Sequence, residues 1–218
     1  MLEIDIWSDV ACPFCYIGKR AFEAALATFE HADEVDVRWH SFELDPEAPP
    51  STPGGIHDLL ASKYGVSVEQ AVAMNDRVAA MGAEVGLTFD FAALRPANTF
   101  AAYRSTRCAA TEDLDAAAAE ELFAAYFSRG ALLSDPDVLA DTVAVLGLDR
   151  ARVRAVAAGD EFAAEVRADE ARARELGIRG VPYFLVQSHY AINGAQPRET
   201  FEAALAKAWD LVAADAVS

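Results

Sequence analysis

Two cysteines separated by two residues, Cys12-Pro13-Phe14-Cys15, carry the clearest chemistry in the chain. A thiolate attacks a disulfide, and a second thiol nearby displaces it from the resulting mixed disulfide, so such a pair can cycle between dithiol and disulfide. That cycle needs the first sulfur ionised near neutral pH. The unpaired N–H groups and positive dipole end of a helix N-terminus supply this, lowering such thiols from about 8.5 to between about 3.5 and 7.5. Pro13 suits the first helical position, where its missing N–H costs nothing. Cys12 then sits at the cap and attacks, while Cys15, one turn in and deeper, resolves. The spacing puts both sulfurs on one side of the first turn. Pro13 and Phe14 bring no charge, so the Cys12 thiol is expected to be lowered but not extreme. The pair should be less oxidising than one with a strongly acidic thiol.

Two blander readings compete. A zinc knuckle would need two further ligands at compatible spacing, and His31, His40, His57, His189 and Cys108 are scattered. Two ordinary core cysteines would not require a strand before them and a helix behind them, and the flanking pattern supplies both. Residues 2–7 alternate apolar and acidic side chains, which reads as a strand. Residues 8–11 form a short turn, a helix is expected over about 12–29, and a second strand over 35–44 with Val35, Val37 and Trp39 on one face. The opening is therefore β-α-β.

Pro46, Pro49, Pro50, Pro53, Gly54 and Gly55 then mark a linker. Residues 56–176 read as helical, with breaks near 65, 86–96, 111–115, 130–136, 147–149 and 159, and about six helices are expected. Ser134 and Asp135 before Pro136 make a good helix start. Residues 183–186 and 189–192 read as a short hairpin across Gln187-Ser188, followed by a last helix over about 197–213. The close is β-β-α. Together the two ends make an α/β thioredoxin fold, interrupted by a large all-helical insertion: residues 1–48 and 178–218 the thioredoxin-like part, 49–177 the insertion. In such a fold Val181-Pro182 stands opposite the cysteine pair as a cis peptide, a state that X-Pro bonds reach at a cost of only about 0.5–1 kcal/mol. The alternative is a trans proline opening an edge strand. Pro13, Phe14, Val181 and Pro182 are the expected substrate-binding residues, with the Val181 backbone free to pair with an extended segment.

Composition narrows the partners. A formal net charge of −17 disfavours nucleic acid and anionic membranes, both of which need lysine and arginine on the protein. No apolar run approaches the roughly 18 residues of a membrane span. The opening Met1-Leu2-Glu3-Ile4-Asp5 lacks the basic and apolar regions of a signal peptide. The expectation is a cytoplasmic protein, where a close cysteine pair is more often catalytic or metal-binding than structural.

These residues, and the order of elements, resemble the DsbA family and within it the FrnE-like cytosolic branch, over nearly the whole chain. Ser8-Asp9 before Cys12-Pro13-Phe14-Cys15-Tyr16-Ile17-Gly18 looks like that branch's redox segment. Phe42 to Pro46, Asn98-Thr99, Ala125-Tyr126-Phe127, Leu139 and Gly147-Leu148-Asp149 resemble its later markers. Gly177-Ile178, Gly180-Val181-Pro182 and Asn193 to Pro197 resemble its closing segment. The resemblance implies disulfide oxidoreductase or isomerase activity on protein or small-molecule thiols and disulfides. Cys12 is then nucleophile, Cys15 resolver and Pro182 the cis proline. It implies no bound cofactor beyond a redox-active Cys12–Cys15 disulfide, with glutathione a candidate co-substrate. The oligomeric state is left between monomer and homodimer. The branch commonly has histidine where Tyr103 stands and tryptophan or histidine where Phe14 stands. Two alternatives remain. One is a glutathione-dependent isomerase or transferase of the kappa or 2-hydroxychromene-2-carboxylate isomerase type, which would carry serine in place of Cys12. The other is a holdase-like binding module.

Other residues are read as supporting structure. Cys108 is expected to be a buried small hydrophobe. Asp9 is expected to form a turn, ahead of accepting a proton from Cys15. Lys19 and Arg20 are read as a solvated face, and His40 as a hydrogen-bonded strand residue. Phe14, Tyr16 and Phe42 form either an apolar rim around the sulfurs or part of the core.

Overall fold

A computed structural model describes residues 1–215. Four strands form: β1 (Leu2–Ser8), β2 (Val35–Ser41), β3 (Tyr183–Val186) and β4 (Tyr190–Asn193), in the spatial order β2-β1-β3-β4. β1 pairs parallel with β2, with Leu2 opposite Val35 and Ser8 opposite Ser41. It pairs antiparallel with β3, with Trp7 opposite Tyr183. A parallel pair needs a crossover, and α1 (Pro13–Leu26) provides it. The Gln187-Ser188 turn between β3 and β4 holds both residues at positive φ, 52° and 56°.

Alternation along β1 divides the sheet's two faces. Leu2, Ile4 and Ile6 pack with Ala21, Phe22 and Ala25 of α1 and with Phe201, Leu205 and Ala208 of α9 (Arg198–Asp215). Phe22, Phe184 and Phe201 meet there at centroid distances of 4.7–5.7 Å, in tilted and edge-on pairs worth about 0.5–1.5 kcal/mol each beyond their buried area. Trp7 points to the other face and packs with Leu185, Ile178 and Ala173.

Between the two halves stand α2 (Ile56–Tyr64), α3 (Val68–Glu84), α4 (Phe100–Ala110), α5 (Asp115–Arg129), α6 (Pro136–Ala144), α7 (Arg150–Ala158) and α8 (Ala163–Glu175). The six breaks thus separate seven helices rather than about six. Their ends follow local chemistry. Ser67 and Gln70 form a reciprocal capping box at the start of α3, and Asp135 caps α6 ahead of Pro136. Gly130 ends α5 at φ +61°, where a side chain would also collide with the Ala93 carbonyl, so only glycine fits.

α8 is the last helix of the helical stretch, yet it packs against the sheet, through Ala173 and through hydrogen bonds to β2. α1 serves both layers: Phe22 and Ala25 face the sheet, while Cys12, Cys15, Tyr16 and Ile17 join the large cluster built by α4 to α7. The linker over 46–55 is irregular yet anchored, since Thr52 N–H donates to Pro96 O and Asn98 N–H to Pro49 O. β2 ends at Ser41, short of the expected 44, because the chain after Phe42 turns inward to the cysteine pair.

Candidate active site

Cys12 is the N-cap of α1, Pro13 its first residue and Cys15 its third. The Asp9–Cys12 turn closes through Cys12 N–H to Asp9 O at 2.9 Å, and Cys15 N–H donates back to Cys12 O at 3.0 Å. No acidic residue lies in the first helical turn, so nothing there offsets the helix's positive end. Both cysteines are free thiols; Cys12 is 5% exposed and Cys15 1%. Burial first, then the neighbouring Cys12 sulfur, push the Cys15 thiol well above its ordinary range. Asp9 N–H donates to Cys15 Sγ at 3.4 Å.

The Val181–Pro182 bond is cis, and Cys12 Sγ lies 3.6 Å from Val181 O, toward which its thiol donates. Gly18 allows this approach: a Cβ there would stand 3.0 Å from Pro182 Cγ. A cleft of about 410 Å³ runs past Val181 and Pro182, bounded by Gly177 to Tyr183 and by Asn193 and Gly194. Phe14, 39% exposed, is the outward apolar residue of the motif.

Beneath the sulfurs lies a polar layer. Asp9 is 2% exposed and accepts from Ala11 N–H at 3.0 Å, Leu44 N–H at 2.7 Å and the Tyr103 hydroxyl at 2.7 Å. Burial raises its carboxyl, partly against these donors. Asp9 therefore is the expected turn residue, and it also ties the redox turn to β2 and α4. Tyr103 Oη in addition accepts from Val10 N–H at 3.2 Å and stands 2.9 Å from Phe42 O, joining the ends of both strands.

Several side chains are not where the sequence suggests. Lys19 is not on a solvated face; it is 2% exposed and bridges Glu23 and Glu120, both at 2.7 Å. Glu120 draws it in, together with Arg20 and the Tyr16 hydroxyl, pinning α1 to α5. Tyr16 belongs to the core, stacked on Phe123 at 4.8 Å, and half-buried Phe42 packs with the Trp7 cluster, so of the three only Phe14 is exposed beside the sulfurs. His40 is hydrogen-bonded as expected, by Nδ1 to Asp169 and Nε2 to Asp5, and stacks on Trp7 at 4.5 Å. Cys108 is buried in α4, which raises its thiol. Arg167 bridges Glu43 at 2.6 Å and Glu170 at 2.7 Å. Neither this group nor Asp169 is marked by spacing, because Glu43 lies 124 residues from Arg167 and His40 lies 129 from Asp169. Tyr103 is visible in the sequence only through the family pattern.

Two of these groups set a pH dependence. Burial and then Glu170 push the Glu43 carboxyl up to about 7, against the pull of Arg167. The folded protein thus keeps a proton that the unfolded chain sheds near 4.5, and stability falls as pH rises from about 4.5 to about 7. Burial opposes charge on His40, but Asp169 and Asp5 outweigh it and hold its pKa above 6.5. That pairing is fully present below 6.5 and is lost as pH rises through the folded value. Both slopes have one sign. The urea midpoint is expected to decline from about pH 5 to about pH 8, and Glu43→Gln to flatten the acidic part. A midpoint that rises with pH over this range would contradict the assignment.

A sheet of order β2-β1-β3-β4 with helices on both faces, and a Cys-x-x-Cys on the first turn of its first helix, defines a thioredoxin-like protein with a helical insertion. The chain belongs to the DSBA-like thioredoxin domain family, whose model matches residues 3–206. That family supports an oxidoreductase or isomerase acting on thiols and disulfides. The chain is 39% identical to the probable DsbA oxidoreductase SCO1869 from Streptomyces coelicolor, covering 96% of this chain and 91% of that one, with TM-score 0.91. It is 25% identical to the uncharacterized protein YwbO of Bacillus subtilis (strain 168), over 94% of this chain and 96% of that protein. The cytosolic disulfide reductase DsbM from Pseudomonas aeruginosa shares the fold, at 18% identity, 96% and 99% coverage and TM-score 0.68; its structure with GSH gives TM-score 0.65. No helix among the described residues is long and apolar enough to cross a membrane.

Proposed function

We propose that this chain is a thiol–disulfide oxidoreductase of the FrnE-like branch, working in the cytoplasm through Cys12 and Cys15. The observation that carries this reading is the pair itself. Two free thiols share the first turn of α1, with the outer sulfur against Val181 O and the inner one buried and held protonated.

In the reducing direction the Cys12 thiolate attacks one sulfur of a substrate disulfide. The substrate S–S bond breaks, its other sulfur leaves as a thiolate and takes up a proton. Cys15 then loses its proton and attacks Cys12 Sγ. The mixed disulfide breaks, the second substrate sulfur leaves as a thiolate and takes up the proton that Cys15 gave up, and the protein is left with a Cys12–Cys15 disulfide. Two electrons have passed to the substrate. A thiol pool such as glutathione restores the dithiol by the reverse steps, and the solved DsbM relative with GSH supports glutathione as co-substrate. A cytosolic glutathione poise keeps most dithiols reduced, which favours reduction or isomerisation over net oxidation.

Pro13, Phe14, Val181 and Pro182 form the docking surface. An extended segment lies in the cleft beside Val181 and pairs with its backbone as an added strand would. The segment's apolar side chains meet Phe14 and the Pro182 ring. The test is Cys15→Ser incubated with oxidised glutathione. One glutathione adduct is expected per chain, on Cys12, because the resolving sulfur is gone. No adduct, or one on Cys108, would overturn the proposal.

A further inference from the structure

Resolution requires Cys15, 1% exposed, to carry negative charge inside the protein while it attacks Cys12. A buried anion without hydrogen-bond donors is costly. The donors within reach can be counted. Asp9 N–H is one, at 3.4 Å from Cys15 Sγ. The Asp9 carboxyl is not another, since its oxygens already accept from Ala11, Leu44 and Tyr103. Lys19 is committed to Glu23 and Glu120. Tyr103 Oη is held among Asp9, Val10 and the strand-end carbonyls.

Ser8 is different. It is the last residue of β1 and only 7% exposed, and its hydroxyl makes no hydrogen bond among the described residues. A buried hydroxyl left unpartnered costs stability, which calls for an explanation from the functional cycle. Ser8 directly precedes Asp9, whose N–H reaches Cys15 Sγ at 3.4 Å, so its side chain leaves the backbone one residue from that contact, and its hydroxyl favours the Cys15 anion against the larger effect of burial.

We propose that Ser8 is the switchable donor of the resolving step. Its hydroxyl turns onto Cys15 Sγ as that sulfur loses its proton, and with Asp9 N–H it makes a two-donor seat for the thiolate. When the Cys12–Cys15 bond forms the charge disappears and the hydroxyl is released. The role rests on the exchange cycle proposed above and assigns Ser8 to its second half alone.

The two halves separate with 5,5′-dithiobis(2-nitrobenzoate), which releases one coloured thiolate when Cys12 attacks and a second when Cys15 resolves the adduct. In Ser8→Ala the second release is expected to slow by about 10- to 100-fold, the scale of one hydrogen bond to a charged group. Its pH midpoint should move upward, and the first release should keep its wild-type rate. Ser8→Thr retains the hydroxyl and is expected to retain the second release. A wild-type second phase in Ser8→Ala, an equal slowing of both phases, or a threonine variant as slow as alanine would each overturn the role of Ser8. Failure of the first release in the wild-type protein would instead overturn the exchange cycle itself.

Discussion

In Cys12→Ser, turnover of a disulfide substrate is expected to fall by on the order of 10³-fold or more, the scale on which loss of a covalent nucleophile acts. A serine hydroxyl has almost no anion at neutral pH, whereas a thiol has at least a few per cent and is intrinsically the better nucleophile. The position makes the comparison clean. Cys12 caps α1 without a side-chain hydrogen bond, and serine is among the preferred N-cap residues. The thermal midpoint should therefore hold or rise while activity disappears. Activity that survives would mean the cysteines are incidental, and would favour a binding module.

The largest stability loss is expected from Asp169→Ala. Asp169 lies on α8 and gathers His40 Nδ1 at 2.8 Å, Ser41 N–H at 2.9 Å and the Arg107 guanidinium. Burial would raise its carboxyl, but these partners outweigh burial and hold it below the usual carboxylate range. Truncation leaves a histidine and an arginine facing each other without their shared anion. Removing one member of a buried ion pair costs about 3–5 kcal/mol. His40 and Arg107 keep some contact with water, with side chains 19% and 27% exposed, so the lower end, about 3 kcal/mol, is expected from urea denaturation. A loss below about 1 kcal/mol, the scale of an exposed pair, would show that α8 is held by Ala173 and its apolar neighbours alone.

Local patterns made the redox half of the molecule readable. The alternation over residues 2–7, the proline behind Cys12 and the hairpin across Gln187-Ser188 each announce one element and its direction. Asp135 ahead of Pro136 does the same for α6. What stayed hidden depends on partners brought from far along the chain. Lys19 looks like a surface residue until Glu120, from another helix, supplies its counter-charge. Asp169 acquires meaning only when α8 comes to lie over His40, 129 residues away. Tyr16 could have faced outward or inward by its own chemistry, and Phe123 and Phe127 decide it. The same holds at the site. Cys12 and Cys15 are legible from their spacing, while the layer of Ser8, Asp9 and Tyr103 beneath them exists only because two strand ends and α4 converge there.

Mass analysis of the whole protein after equilibration in oxidised and reduced glutathione tests the central claim most directly. As the ratio turns oxidising, the chain should lose two hydrogens, and the loss should map to peptide 1–19 as a Cys12–Cys15 bridge with Cys108 still a thiol. A peptide 1–19 that stays dithiol at every ratio, or a bridge that includes Cys108, would contradict it.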